Sequence, residues 1–155
     1  MRNEWIGAVM LMAILAVPTT AYGQERVISR KQLPAAVDSA VTAQTKNAKL
    51  RGLSEEREKG HTYYEAELRA GGYNRDVLMD STGTVVEVEQ QVSLDALPAK
   101  PKAALMTEAG EGRITKVEAL SKHSRLVAYE AVVVSNGRPR EIQVGPEGEK
   151  LAHPE

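Results

Sequence analysis

The chain has 155 residues, and its 20 Lys and Arg against 21 Asp and Glu leave a formal net charge of −1, too little field to gather a polyanion, which disfavours a nucleic-acid partner. With no Cys there is no disulfide framework, thiolate metal site or cysteine nucleophile. With no Phe and 4% aromatic residues no aromatic box for a planar cofactor stands out, so no cofactor is expected and Val, Leu, Ala, Ile and a few Tyr must fill the core.

Met1 to Trp5 carries one basic side chain, and the uncharged run from Ile6 to Val17 is too short to span a bilayer, which takes about 20 residues. Ala21-Tyr22-Gly23 is a small-x-small triplet suited to signal peptidase. Residues 1–23 therefore read as a cleavable signal peptide, which predicts a periplasmic or secreted protein starting at Gln24 with no stable membrane span after signal removal.

Ser29 suits a cap, and Pro34 suits the first position of a helix that runs to about Asn47 with Ala36, Val37, Ala40, Val41 and Gln44 on one stripe. A weak strand is expected over 49–58. From His61 to Ala70 the apolar Tyr64, Ala66, Leu68 and Ala70 alternate with Glu65, Glu67 and Arg69, the pattern of a half-buried antiparallel strand. Gly71-Gly72 turns the chain into Asp76 to Asp80 with Val77 and Met79 inward. Ser81-Thr82-Gly83 turns it again into Thr84 to Val92, with Val86, Val88 and Val92 inward. A second helix is predicted from Pro101 to about Gly110, then strands at 113–121, Leu126 to Ser135, Glu141 to Val144 and near Lys150 to Ala152, with a hairpin turn at Asn136-Gly137.

The order repeats. Ile28-Ser29 and Leu33-Pro34-Ala35 recur as Val92-Ser93 and Leu97-Pro98-Ala99 at a shift of 64, and Tyr64-Glu65-Ala66 recurs as Tyr129-Glu130-Ala131 at a shift of 65, one extra residue being expected in a hairpin. Gly72, Arg75-Asp76-Val77 and Gly83 likewise match Gly137, Arg140-Glu141-Ile142 and Gly148. The predicted fold class is α+β: two tandem units, 28–91 and 92–155, each a helix packed on a three- to four-stranded antiparallel meander, sharing one core and one extended sheet.

Leu33-Pro34, Tyr64 to Leu68, Gly72, Asp76 to Asp80 and Gly83, and again Leu97-Pro98, Tyr129 to Val133, Gly137, Glu141 to Val144 and Gly148, resemble the PepSY and PepSY-like group, part of which is similar to beta-lactamase inhibitory protein. The resemblance covers nearly all of the chain after residue 23. It implies an envelope or secreted module that binds or restrains other proteins, peptidases in some members and beta-lactamases in the inhibitory proteins. The chain departs from those inhibitors in having no Cys and few aromatic residues.

His61, His123 and His153 form no pair at helical metal-site spacing, so no metal is expected, and Glu65 and Glu130 read as outward strand residues rather than an acid–base pair. Asp80-Ser81-Thr82-Gly83 with Glu87 nearby lacks the acidic density of a calcium loop and reads as a turn. No nucleophile elbow, phosphate loop or dinucleotide fingerprint is present, and the chain reads as a non-enzyme. Leu78 and Val85 are expected to point outward, and Val132 and Val134 are apolar where the first unit has Glu67 and Arg69. The expectation is a protein-binding module that inhibits or regulates an envelope peptidase or sensor. Tyr63, Glu65, Glu67, Arg69, Glu130, Val132 and Val134 would contact another envelope or secreted protein, with the second unit as the partner-facing half. The alternative is a periplasmic carrier of a small ligand or ion.

Overall fold

The computed structural model describes residues 25–155, and the predicted signal segment lies outside the described residues. The elements run β1 (Arg26–Val27), α1 (Ala35–Gln44), β2 (Lys49–Glu58), β3 (His61–Ala70), β4 (Tyr73–Asp80), β5 (Val85–Gln91), α2 (Ala99–Ala109), β6 (Arg113–Lys122), β7 (Arg125–Ser135) and β8 (Arg138–Val144). All eight strands belong to one antiparallel sheet whose spatial order is the chain order. Four of its hairpins close on two residues, Lys59-Gly60, Gly71-Gly72, His123-Ser124 and Asn136-Gly137, and in each both residues have positive φ. Such turns match the right-handed twist of the strands they join.

This architecture corrects the predicted fold class. The described residues are mostly β, one eight-stranded sheet with two short helices, and do not divide into two helix-plus-meander units. Five residue pairs, from Glu87↔Lys122 to Gln91↔Glu118, join β5 to β6 across the α2 excursion, so the eight strands run on as one sheet. Periodicity within a strand reports which residues face inward but not which strand lies beside it. A further strand, β1, was not anticipated. It pairs only Arg26↔Glu55 and Val27↔Ser54, too short to register as alternation.

Both helices lie on the same face of the sheet. Val37 and Val41 of α1 are fully buried over Leu53, Tyr64, Ala66, Leu68, Val77 and Met79, while Leu105 of α2 is buried over Val117, Ala131 and Val144. Burial of an aliphatic side chain of this size contributes about 1.5–3 kcal/mol, so these few contacts hold each helix down. Most of the buried apolar residues form two clusters, one beneath each helix, rather than the single core expected; backbone hydrogen bonding between β5 and β6 joins them.

Four local expectations also shift. Pro34 precedes α1 as its extended cap, with φ −58° and ψ 147°, and Ala35 opens the helix. The second helix starts at Ala99 rather than Pro101, because Pro101 falls at the third helical position, where no intrahelical N–H bond is lost. Val85 points inward against the α1 cluster: the register steps from Leu78↔Glu87 to Met79↔Val85, so Val86 is a bulged residue and side-chain parity reverses there. The extra residue of the later hairpin is likewise a bulge at Val127, between Leu120↔Ala128 and Ser121↔Leu126, not part of the turn. No helix among the described residues is long and apolar enough to cross a membrane.

Candidate functional site

Among the described residues, no helix or strand covers the face of the sheet away from the two helices. Alternation along each strand delivers to this face Glu56 of β2, Glu65 and Glu67 of β3, Asp76 and Leu78 of β4, and Glu87 and Glu89 of β5. Glu118 and Leu120 of β6, Glu130 and Val132 of β7 and Glu141 of β8 continue the row. Register then sets carboxylates against one another: Glu67 is directly opposite Asp76, Asp76 opposite Glu89, and Glu118 opposite Glu130. Like charges at directly opposed positions destabilise a sheet, so this arrangement runs against folding preference.

All seven residues expected to contact a partner lie on this face, but the structure splits them. Tyr63, Glu65, Glu67 and Arg69 are on β3, and Glu130, Val132 and Val134 are on β7, four strands away or about 19 Å at the usual strand spacing. Glu67 lies over Gly52, where a Cβ would come within 2.9 Å of its Oε2. Arg69 Nη1 donates to Asn74 Oδ1 at 2.7 Å, and Glu130 Oε2 accepts from Gln143 Nε2 at 2.7 Å. Between the two groups sit Asp76, Glu87, Glu89 and Glu118, none of which strand-by-strand reading assigned to the partner surface. The available signal was an acidic residue at the outward position of every consecutive strand.

The electrostatics follow from burial and crowding. Burial first, then Glu118, Glu130 and Glu87, push Glu89 up to about 8 against the opposing pull of Lys116. Glu89 is also paired with Leu120, an apolar side chain only 3% exposed on this same face. Glu65, opposite Leu78, rises to about 7 through burial and then Asp76, Glu56, Glu25 and Glu67. Asp76 rises to about 6 through burial, Glu118 and Glu67, with Lys116 opposing. Burial likewise raises Glu56, Glu87 and Glu141. Two ammonium groups answer this negative charge: Lys116 Nζ is 2.8 Å from Glu118 Oε2, and Lys122 Nζ is 3.8 Å from Glu87 Oε2.

Among the described residues, two groups of carboxylates are close enough to share a cation, Glu25 with Glu56 and Glu65, and Asp76 with Glu89 and Glu118. The expected turn at Asp80 is confirmed as a closed one, its Oδ1 accepting from Thr82 N at 2.9 Å and Thr84 N at 3.0 Å. A hollow of about 250 Å³ at the β8 edge is lined by Glu130, Glu141 and Gln143 together with Lys150, Leu151 and Pro154.

No family model matches the chain, and no curated protein matches its sequence. Solved structures do match. A candidate periplasmic protein from Bacteroides eggerthii superimposes with a TM-score of 0.64 at 21% identity, over 77% of this chain and 86% of that one. A DUF2874 family protein from Bacteroides ovatus gives 0.60 at 19%, over 77% and 85%, and a BLIP-like protein from Bacteroides fragilis gives 0.58 at 20%, over 77% and 83%. The fold is shared with these proteins. At such identities the likeness extends to the fold alone.

Proposed function

We propose that this protein is an exported, non-enzymatic binding module whose acidic sheet face engages a Lys- and Arg-rich surface of another envelope or secreted protein. The observation that carries this reading is the set of directly opposed carboxylates, Glu67 with Asp76, Asp76 with Glu89 and Glu118 with Glu130, on the face that neither helix covers. A local conflict with folding preference of this kind is expected where a surface serves another purpose. Basic side chains of a partner relieve the repulsion that the isolated sheet bears, and charge complementarity of this sort speeds encounter and sets register. An exported location is supported by the signal-like first residues and by the shared fold with a candidate periplasmic protein. Inhibition or regulation of an envelope peptidase or sensor is the finer form of this reading, supported by the PepSY-like residues and the fold shared with a BLIP-like protein.

Photo-crosslinking in cells tests the face. A crosslinking residue in place of Leu78 or Val132 is expected to trap a discrete partner, and one in place of Met106, 54% exposed on α2, is expected to trap none. Adducts from Met106 alone would move the interface to the helical side.

A further inference from the structure

At the centre of the acidic face, Asp76, Glu89 and Glu118 come from three adjacent strands, β4, β5 and β6, and each offers a carboxylate oxygen within 4.8 Å of the others. Glu118 sets this cluster apart from ordinary surface acids. It is 2% exposed, its Oε2 takes the Lys116 ammonium, and its Oε1 is buried without a hydrogen-bond partner. A buried carboxylate oxygen left unpaired costs free energy that a ligand in contact with it recovers. The second acidic group, Glu25 with Glu56 and Glu65, has no such atom among its members.

We propose that Asp76, Glu89 and Glu118 form a binding site for a hard divalent cation of the size of Ca²⁺. Carboxylate oxygens suit hard cations, and the site supplies neither imidazole nor sulfur to favour a softer transition metal. Ca²⁺ holds its oxygens at about 2.3–2.6 Å, so two ligands on opposite sides of the ion stand roughly 5 Å apart, and a set lying within 4.8 Å closes around it without strand movement. With all three carboxyls ionised, they and the Lys116 ammonium leave two negative charges for a divalent ion to balance. Water fills the remaining positions on the solvent side, where Asp76 and Glu89 are only half-buried. This site goes beyond the partner-binding reading and does not depend on it, since it is measured on the protein alone.

Calorimetric titration of the metal-stripped protein with CaCl₂ tests it. One site is expected with a dissociation constant on the order of 0.1–1 mM, the range of sites with few charged ligands. The thermal midpoint is expected to rise with added Ca²⁺. Glu89→Gln and Asp76→Asn, near-isosteric changes at half-buried positions, should each weaken binding about tenfold or more, and Glu56→Gln should leave it unchanged. Thermal midpoints measured without Ca²⁺ establish that the variants fold, and Glu118→Gln is read beside them because its site is buried. Absence of heat and of any midpoint shift at about 10 mM Ca²⁺ would overturn the site, as would wild-type affinity in Glu89→Gln or loss of binding in Glu56→Gln alone.

Discussion

Raising the pH from about 5 to 8.5 in the absence of divalent cations is expected to destabilise the protein, by on the order of 3–5 kcal/mol from Glu65 and Glu89 together. In the unfolded chain these carboxyls lose their protons near pH 4.5, whereas in the fold Glu65 holds its proton to about 7 and Glu89 to about 8. Between those values the folded protein binds protons that the unfolded chain has released, so stability falls as pH rises through the folded pKa values. The contribution is fully present only below the unfolded pKa. The magnitude is set well below the sum of the two separate shifts, because both side chains are partly solvated and their charges are coupled. Asp76, raised to about 6, adds in the same direction. Asp80 and Asp95 are held below the usual range by their hydrogen bonds to Thr82 and Lys102, and because both are ionised in the folded and unfolded chain above pH 5 they leave the slope in this window unchanged. Urea unfolding midpoints across this range read the effect, and Glu89→Gln should flatten the upper part of the slope. A midpoint that climbs steadily from pH 5 to 8.5 would contradict the crowding of acids on the sheet.

Gly83→Val is expected to cost about 2–5 kcal/mol, through two separable causes. Gly83 has φ of +80°, and a Cβ there would lie 2.5 Å from the carbonyl oxygen of Ala36 in the first turn of α1. Gly148 repeats the arrangement at the other helix, with φ of +83° and a Cβ position 2.8 Å from Lys100 O. Each helix start is therefore seated directly on a glycine of a turn, and a side chain there must push the helix off the sheet. Gly60→Ala supplies the comparison: φ is +84° but nothing lies within 4 Å, so only the backbone term of about 1–2 kcal/mol remains. Equal urea midpoints for the two variants would show that α1 does not rest on the β4–β5 turn.

The strands were legible because half-buried strands alternate. The expected span from His61 to Ala70 is the observed β3, and the span expected over 49–58 is β2. Hairpin pairing was legible from the turns at Gly71-Gly72 and Asn136-Gly137, but pairing across a helix was not. The β5–β6 ladder joins residues on either side of a helix, and no local pattern at Val88 or Ser121 shows that they are neighbours. The bulges at Val86 and Val127 were equally hidden, since each is defined by the partner strand, and the first reversed the orientation expected of Val85.

The same limit applies to the site. Glu65 and Glu67 were visible as outward acids on one strand, and Glu130 on another. The acidic cluster of Asp76, Glu89 and Glu118 exists only through the register of three strands, and no spacing motif marks it. Val132 and Val134, contrasted with Glu67 and Arg69, lie with them on the face that neither helix covers, on β7 and β3. That contrast drew attention to the flanks, while the charge is concentrated on the strands between.

The most direct measurement of whether that face is the working surface is capture of a partner from an envelope extract by matched proteins. One is the wild type, one carries Glu65→Gln, Glu67→Gln and Asp76→Asn together, and one carries Lys46→Gln and Met106→Gln outside the acidic face. The neutralised protein is expected to be at least as stable as the wild type at pH 8, because the opposed charges are gone. It should nonetheless lose a partner that the wild type and the third protein both retain, and that raised salt releases from the wild type. Retention of the same partner by the neutralised protein, or its loss only from the third, would contradict the assignment of function to the acidic sheet face.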